Sequence, residues 1–177
     1  MAQFSVVRPH DYDSMSTTPI PTKSLKLVPV TLAEVRAVVE AMNSSEKAQL
    51  SAAWLAQLYA STSADPWTHG FNLVHRDSSI VVGKSGFKGP PAVDGVVEIA
   101  YMVAPEHQGK GYATEAAEAL VAYAFSSGRV RVVRAHTLPE SNASTRVLTK
   151  CGFRHIGEVT DSDDGLVWRW GKHIEAA

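Results

Sequence analysis

The sequence has 177 residues, of which 45% are hydrophobic and 20% are charged, as expected for one globular domain with a sizeable core. Its formal net charge is −1, so no global basic field favours nucleic acid or an acidic membrane surface. No apolar run approaches the roughly 20 residues that span a bilayer, and the sequence therefore predicts neither a nucleic-acid nor a membrane partner.

The first segment, residues 1–22, is rich in Ser, Thr and Pro and has no periodicity, which predicts a mobile N-terminal arm. A single domain is predicted over residues 23–173, with a short tail at residues 174–177. The N-terminus lacks a basic region followed by an apolar one and so does not resemble a secretory signal. The one cysteine, Cys151, excludes an internal disulfide and suits a reducing cytoplasm.

The first half of the domain is predicted to form one strand, two helices and three further strands. Thr31 precedes Glu34 by three residues, which is the spacing of a capping box that opens a helix. Ser45 is the candidate cap of the second helix, and residues 66–70 are predicted to form a loop. The predicted strands occupy residues 25–30, 71–76, 80–87 and 96–103.

Residues 108–115, Gln-Gly-Lys-Gly-Tyr-Ala-Thr-Glu, join the last of these strands to an alanine-rich helix. The first N–H groups of a helix have no intrahelical partner, and the helix dipole favours negative charge there. Glycine at positions 109 and 111 allows a ligand to approach the backbone closely. The turn is therefore predicted to bind the pyrophosphate of a nucleotide-like cofactor.

The second half of the domain begins with the helix that follows this turn. Small and apolar residues recur along it at helical spacing, which predicts a buried face packed closely on a sheet. These residues are Ala113, Ala116, Ala117, Leu120, Ala124 and Phe125. A parallel strand at 130–135, a short helix and two strands at 153–159 and 166–170 follow, the last two joined by a hairpin turn at 163–165.

Two motifs, in this order of elements, resemble the GNAT N-acetyltransferases over residues 23–173. Gln108-Gly109-Lys110-Gly111-Tyr112-Ala113 is similar to the family signature Gln/Arg-x-x-Gly-x-Gly/Ala. The run at 143–153 resembles the branch that contains ribosomal-protein alanine N-acetyltransferases. The resemblance implies an α/β fold with a mixed sheet, in which an antiparallel meander is followed by a parallel βαβ crossover and a C-terminal hairpin.

The resemblance also implies acetyl-coenzyme A as a co-substrate, with its pyrophosphate on the amides of residues 109–113 and its pantetheine arm along residues 101–103. The seven histidines show no metal-ligand spacing, and no metal is predicted. A dinucleotide fold is disfavoured, because position 114 is Thr where Gly-x-Gly-x-x-Gly needs glycine. The predicted cofactor-binding residues are Tyr101, Met102, Val103, Gln108, Gly109, Lys110, Gly111, Tyr112, Ala113, Thr114, Asn142 and Ser144.

Acetyl transfer to an amine needs a neutral nucleophile, a polarised carbonyl and a proton for the departing thiolate. Glu98 is the candidate base, and an ion pair with a neighbouring strand is the alternative explanation of this carboxylate. By the resemblance, Ser144 is expected to steady the thiolate, unless it only caps a helix. His136 is a candidate for proton transfer or a hydrogen-bonded loop residue. The tyrosine acid of many GNAT enzymes falls at Leu148 here and is not expected to operate.

The acceptor is expected to be a primary amine, on a protein N-terminus or a small molecule, bound near Trp67 and Phe71. For Trp67, packing in the core is an equal alternative. Cys151 is interpreted as a small buried hydrophobe, since direct transfer needs no acyl-enzyme. The arm and the final hairpin suggest a homodimer. Two other hypotheses about function stay open. The first is a coenzyme A-binding sensor or non-catalytic partner protein, and the second is an acyltransferase that uses another acyl donor or acceptor.

Overall fold

The computed structural model describes residues 18–50, 52–162 and 164–174, which form one mixed eight-stranded sheet with helices on it. The strands are β1 Ile20–Pro21, β2 Leu25–Pro29, β3 Phe71–His75, β4 Val81–Phe87, β5 Val96–Val103, β6 Val132–Thr137, β7 Arg154–Asp161 and β8 Gly165–His173. The helices are α1 Leu32–Ala41, α2 Ser44–Ala48, α3 Ala52–Ala60, α4 Pro66–His69, α5 Tyr112–Ser126 and α6 Ala143–Lys150. The strand order is β1-β2-β3-β4-β5-β6-β8-β7.

The predicted fold class is confirmed by this topology. Strands β1 to β5 pair antiparallel in sequence order, as a meander. Helix α5 then crosses over to β6, which pairs parallel with β5. The final hairpin is present, but β8 lies between β6 and β7, so β7 forms the edge of the sheet.

Three local predictions are corrected by the side-chain caps and the strand pairing. Asn43, not Ser45, caps α2, because its Oδ1 accepts the N–H groups of Ser45 and Glu46. The predicted loop at 66–70 is a helical turn, capped by Asp65 and opened by a proline at its first position. Ile20–Pro21, assigned to the arm, forms β1 and pairs with β2.

Helix α5 packs on the sheet through alanines. Ala116, Ala117 and Ala124 have no exposed surface, so no long side chain holds the helix away from β5. Leu120 on the same helix and Val133 on β6 are also fully buried. Each such large apolar side chain contributes about 1.5–3 kcal/mol relative to an exposed one, so this layer anchors both strands that border the opening described next.

The ladder between β5 and β6 stops after three residue pairs. Val96 pairs with Val132, Val97 with Val133 and Glu98 with Arg134. Beyond these pairs β5 continues to Val103 without β6 as a partner. The sheet therefore opens into a V at its centre, and the turn at 108–115 follows the free end of β5.

Some predictions fall on residues outside the described ranges, namely positions 1–17 of the arm, position 163 of the hairpin turn and positions 175–177 of the tail. Within the described ranges, no helix is both long enough and apolar enough to cross a bilayer. The predicted homodimer stays a prediction.

Candidate active site

A cavity of about 600 Å³ lies at the opening of the sheet, and we call it the turn cavity. It is bounded by the end of β5, the turn, the start of α5 and one face of α6. Every predicted cofactor-binding residue lines it except Lys110 and Asn142. Its lining residues are Tyr101, Met102, Val103, His107, Gln108, Gly109, Gly111, Tyr112, Ala113, Thr114, Ala143, Ser144, Arg146, Val147 and Lys150.

Two glycines give the turn its shape. Gly109 has φ 76° and Gly111 has φ 84°, both in the left-handed region that side chains rarely adopt. A Cβ built on either glycine meets no atom within 4 Å, so the space in front of the backbone is open. Gly111 is the N-cap of α5, and the amides that follow it have no intrahelical acceptor. This cradle fits a pyrophosphate.

Gln108 connects this cradle to β5. Its Nε2 atom donates a hydrogen bond to the main-chain carbonyl of Val103 at 3.0 Å. The side chain therefore holds the turn against the last residue of the strand. That bond accounts for a glutamine at the first position of the motif, because only an amide or a longer donor reaches back to the carbonyl.

Three basic residues that the sequence did not predict for this site also line the turn cavity. They are His107, Arg146 and Lys150. Arg146 and Lys150 are four residues apart on α6, and Ala143 and Val147 line the same cavity. Helical spacing from Ala143 would have identified this face of α6. The cations Arg146 and Lys150 suit a ligand that carries several phosphate charges.

Asn142 has a structural role that accounts for its absence from the cavity lining. Its Oδ1 accepts the Thr145 N–H at 3.1 Å, and its own N–H donates to Thr145 Oγ1 at 3.0 Å. This reciprocal pair caps α6. The capping bonds engage Oδ1 and the backbone N–H of Asn142, and its predicted contact with the cofactor stays a prediction.

Ser144 follows this cap and faces the turn cavity next to Tyr101. Burial raises the pKa of the Tyr101 phenol, and the nearby Cys151 thiol adds to that effect, while a hydrogen bond with the Ser144 hydroxyl opposes it. Tyr101 on β5 and Ser144 on α6 thus line the same cavity. Capping was the alternative role for Ser144, and Asn142 takes that role instead.

A second concavity of about 270 Å³, the strand groove, adjoins the end of β5. Thr68, His69 and Gly70 form one wall of this groove. The other walls come from β4 and β5, and Lys84 is the charged residue of the lining. The lining residues on these two strands are Lys84, Ser85, Gly86, Phe87, Ala100, Tyr101 and Met102. Tyr101 and Met102 line both the strand groove and the turn cavity. The two spaces therefore adjoin at these two residues.

A third space of about 450 Å³, the helix cavity, lies between α1, α3 and the sheet. It shares His69, Lys84 and Ser85 with the strand groove. Most of its lining is apolar, from Val30, Val35, Ala37, Val38, Val39, Met42, Leu50, Trp54 and Phe71. Its one carboxylate, Glu34, is engaged in the α1 capping box.

Trp67 and Phe71, the predicted acceptor-binding residues, are buried in an aromatic cluster. Trp67 is 9% exposed and its ring centroid lies 4.4 Å from Phe87 and 5.2 Å from Tyr123. Phe71 is 1% exposed and packs edge-on against Tyr123. Trp67 lines none of the three spaces, and Phe71 lines only the helix cavity. The structure thus gives Trp67 the core-packing role, and its neighbours Thr68 and His69 form the wall.

Glu98 and His136 lie together at the base of the opening. Glu98 Oε1 accepts hydrogen bonds from Lys88 Nζ at 2.9 Å and from His136 Nδ1 at 3.1 Å. Arg169 Nε donates to His136 Nε2 at 3.1 Å, so the Nδ1 atom carries the imidazole proton. Burial opposes the charge of Lys88, but Glu98 outweighs it and raises the pKa of this amine. The ion-pair role of Glu98 is therefore present in the structure.

Glu98 also lies on the face of β5 that forms the strand groove. Side chains alternate along a strand, so Glu98 shares a face with Ala100 and Met102, both of which line the groove. Glu98 and His136 themselves line neither the groove nor the turn cavity. The structure brings these two candidates together and places Ser144 apart from them, beside Tyr101.

The model of the GNAT acetyltransferase domain matches residues 24–154, about three quarters of the chain. The chain belongs to the GNAT acetyltransferase family. The family assignment confirms the resemblance drawn from the two motifs. No group of three or more His, Cys, Asp or Glu side chains is placed to hold a metal ion within the described part of the chain.

Curated relatives are similar over part of their length. "Uncharacterized N-acetyltransferase p20" of Bacillus licheniformis is 29% identical over 105 residues, which cover 59% of each chain. "Uncharacterized N-acetyltransferase YjdG" of Bacillus subtilis (strain 168) is 35% identical over 89 residues, 49% of this chain and 53% of that one. The chain thus spans little more than half the length of these relatives.

The fold is also that of solved acetyltransferases. A structure of RimL, a ribosomal L7/L12 alpha-N-protein acetyltransferase in complex with coenzyme A, has a TM-score of 0.65 and 14% identity. The alignment covers 90% of this chain and all of RimL. At this identity the likeness concerns the fold alone.

Proposed function

We propose that this GNAT protein transfers an acetyl group from acetyl-coenzyme A directly to a primary amine within a ternary complex. The observation that carries the proposal is the junction at Tyr101 and Met102, which line both the turn cavity and the strand groove. A donor held in one space and an amine held in the other would meet at that junction. Direct transfer requires such a meeting point.

The donor is held by the turn and by α6 in this proposal. The amides after Gly111 and the open space before Gly109 support a pyrophosphate site. Arg146 and Lys150 add positive charge for the phosphates. Bound acetyl-coenzyme A supplies the thioester, and the unpaired edge of β5 beyond Glu98 supports a strand-like contact with its pantetheine arm.

Glu98 is the proposed base for the acceptor amine. It lies on the groove face of β5, two residues before Ala100. The bonds from Lys88 and His136 both go to its Oε1 atom. The Oε2 atom is the one we assign to the amine proton, directly or through one water. His136 orients the carboxylate by donating from Nδ1, and Arg169 holds that tautomer.

The acceptor is proposed to be a primary amine with an apolar substituent, on a small molecule or a protein N-terminus. The strand groove adjoins the helix cavity at His69, Lys84 and Ser85, and the helix cavity is mostly apolar. Hydrogen bonds from Thr31 lower the pKa of Glu34, and these same bonds engage its carboxylate. Lys84 lines both the strand groove and the helix cavity, and its positive charge would repel a polycationic amine.

The experiment measures thiol release by the full chain with acetyl-coenzyme A and a panel of amines. We expect release with apolar primary amines or with peptides that have an apolar N-terminal residue, and less with polyamines or aminoglycosides. Mass spectrometry of the acceptor verifies the acetyl adduct. Tight binding of acetyl-coenzyme A without stimulation by any amine would overturn the enzyme and favour the coenzyme A-binding sensor. A preference for polycations would overturn the acceptor class alone.

A further inference from the structure

We propose that the Tyr101 phenol is a catalytic residue that donates a hydrogen bond to the sulfur of the departing coenzyme A thiolate. This inference rests on the proposed acetyl transfer and adds a residue to it. The family position for a tyrosine acid is Leu148, which is fully buried and has no polar atom in its side chain. Another donor must therefore meet the charge that develops on sulfur.

The position of Tyr101 between the two spaces selects it. Of the two residues that line both the turn cavity and the strand groove, Met102 has no side-chain donor and Tyr101 has a hydroxyl. The amine in the strand groove must reach the thioester carbonyl of acetyl-coenzyme A, which is held in the turn cavity. The scissile bond therefore belongs at this junction. Tyr101 is thus the residue with a side-chain hydroxyl that lines both spaces.

Its surroundings keep the phenol protonated and directed. Tyr101 belongs to the part of β5 beyond the last pair with β6, where the sheet is open. Ser144, on the first turn of α6, lines the turn cavity together with Tyr101. Burial raises the pKa of the Tyr101 phenol, so at neutral pH it is a donor and not a base. The turn cavity thus has two hydroxyl-bearing side chains, one from β5 and one from α6.

The step balances without loss of the phenolic proton. The amine nitrogen bonds to the carbonyl carbon, the C–S bond breaks and its electron pair stays on sulfur. The amine proton goes to Glu98 and then to solvent, and a solvent proton finally neutralises the thiolate. Tyr101 stabilises the anion between these two events, and Ser144 holds the phenol in position or donates a second hydrogen bond.

The first test needs no turnover. The full chain is saturated with coenzyme A, and the ultraviolet absorbance of the bound thiolate is followed as the pH is raised. Tyr101→Phe is expected to make the bound thiol at least about tenfold less acidic than in the wild type, since a donor to the anion is lost. Tyr59→Phe, at an exposed tyrosine that lines none of the three spaces, is the matched control.

The second test measures catalysis. Tyr101→Phe is expected to lower kcat about 10- to 1000-fold with little change in the dissociation constant for coenzyme A. An acetyl thioester whose thiol is more acidic than coenzyme A should be less sensitive to the substitution. A melting temperature close to that of the wild type verifies that the variant folds, and Ser144→Ala tests whether the two hydroxyls act as one unit.

The outcomes separate this inference from the proposed function. If the bound thiol is equally acidic in Tyr101→Phe and the wild type, the role of Tyr101 is overturned whatever the turnover. If the acidity differs but no amine stimulates thiol release, Tyr101 binds the thiolate as inferred and acetyl transfer is overturned. If the wild type fails to bind coenzyme A, both are overturned.

Discussion

The imidazole of His136 donates its Nδ1 proton to Oε1 of Glu98 across 3.1 Å, and Arg169 fixes this tautomer by donating to Nε2. This bond orients the carboxylate. Lys88 Nζ lies 2.9 Å from the same oxygen. The Glu98 carboxylate at the base of the sheet opening is therefore held through Oε1 by residues on both sides of β5 in the sequence.

Glu98→Gln is expected to lower kcat/KM by about 100-fold or more, because glutamine keeps the shape and cannot accept the amine proton. The measurement is amine-dependent thiol release over a range of pH. Glu40→Gln removes an exposed carboxylate of α1 and should leave activity unchanged. Full activity of Glu98→Gln across the range would show that the base lies elsewhere.

Gly111→Ala is expected to weaken coenzyme A binding at least about tenfold and to lower the free energy of unfolding by about 1–2 kcal/mol. The residue has φ 84°, and the added methyl would project into the open cradle. Calorimetry with coenzyme A and thermal unfolding measure the two effects. Gly128→Ala, with φ 68° at the other end of α5 and open space around it, is the matched control.

The control should lose similar stability and keep coenzyme A affinity, because Gly128 lies far along the helix from the cradle. Equal losses of affinity in the two variants would mean that Gly111 acts through helix stability alone. The cradle would then not be the phosphate site.

Glu115→Gln is expected to destabilise the fold by about 1–3 kcal/mol near neutral pH. Its carboxylate accepts from Thr22 Oγ1 at 2.6 Å and from the Ser24 N–H at 2.8 Å, which ties the segment after β1 to α5. Burial raises the pKa of Glu115, but these hydrogen bonds outweigh burial and hold it below the usual 4.5. The stabilisation is thus fully present above the unfolded pKa and is lost as pH falls through the lower folded pKa.

Denaturant unfolding of wild type and Glu115→Gln at several pH values measures this difference. It should be largest near pH 7 and shrink below about pH 4.5. Glu118→Gln, at an exposed site one turn further along α5, should show no such trend. A difference that persists unchanged into acid would contradict the assigned hydrogen bonds.

Cys151 is expected to be unreactive in the folded protein. It is 4% exposed, and burial, aided by the charge of Glu118, raises the pKa of its thiol to about 11 in spite of Lys172. Thiol reagents at pH 8 should label it slowly in the native state and rapidly in denaturant. Cys151→Ala should keep amine-dependent turnover, and no acetyl adduct on Cys151 should be found by mass spectrometry. Rapid native labelling would contradict the burial of this thiol, and an acyl-thiol on Cys151 would contradict direct transfer.

The sequence predicted what local chemistry determines. The capping box at Thr31 and Glu34, the glycine turn before α5 and the alanine face of α5 all depend on residues close together in the chain. The resemblance to the GNAT family then predicted the antiparallel meander and the parallel crossover to β6. Arg146 and Lys150 were within reach, since their spacing on α6 already placed them on the face of Ala143.

Other features depend on residues far apart, which spacing does not reveal. The bonds from Lys88 and His136 to Glu98 join three different parts of the sheet. Burial of Trp67 follows from its packing on Phe87 and Tyr123, and the sequence left that choice open. Asn142, and not Ser144, caps α6, a choice that the sequence also left open.

The described sheet consists of two ladders, β1 to β5 and β6 to β8, which are joined by the three residue pairs between β5 and β6. Along residues 99–103, every second amide of β5 points into the gap between them. Those amides should exchange with solvent deuterium quickly in the free protein and slowly once a chain-like ligand bridges the gap. A ligand bound there would thus extend the short contact through which β5 and β6 join the two ladders.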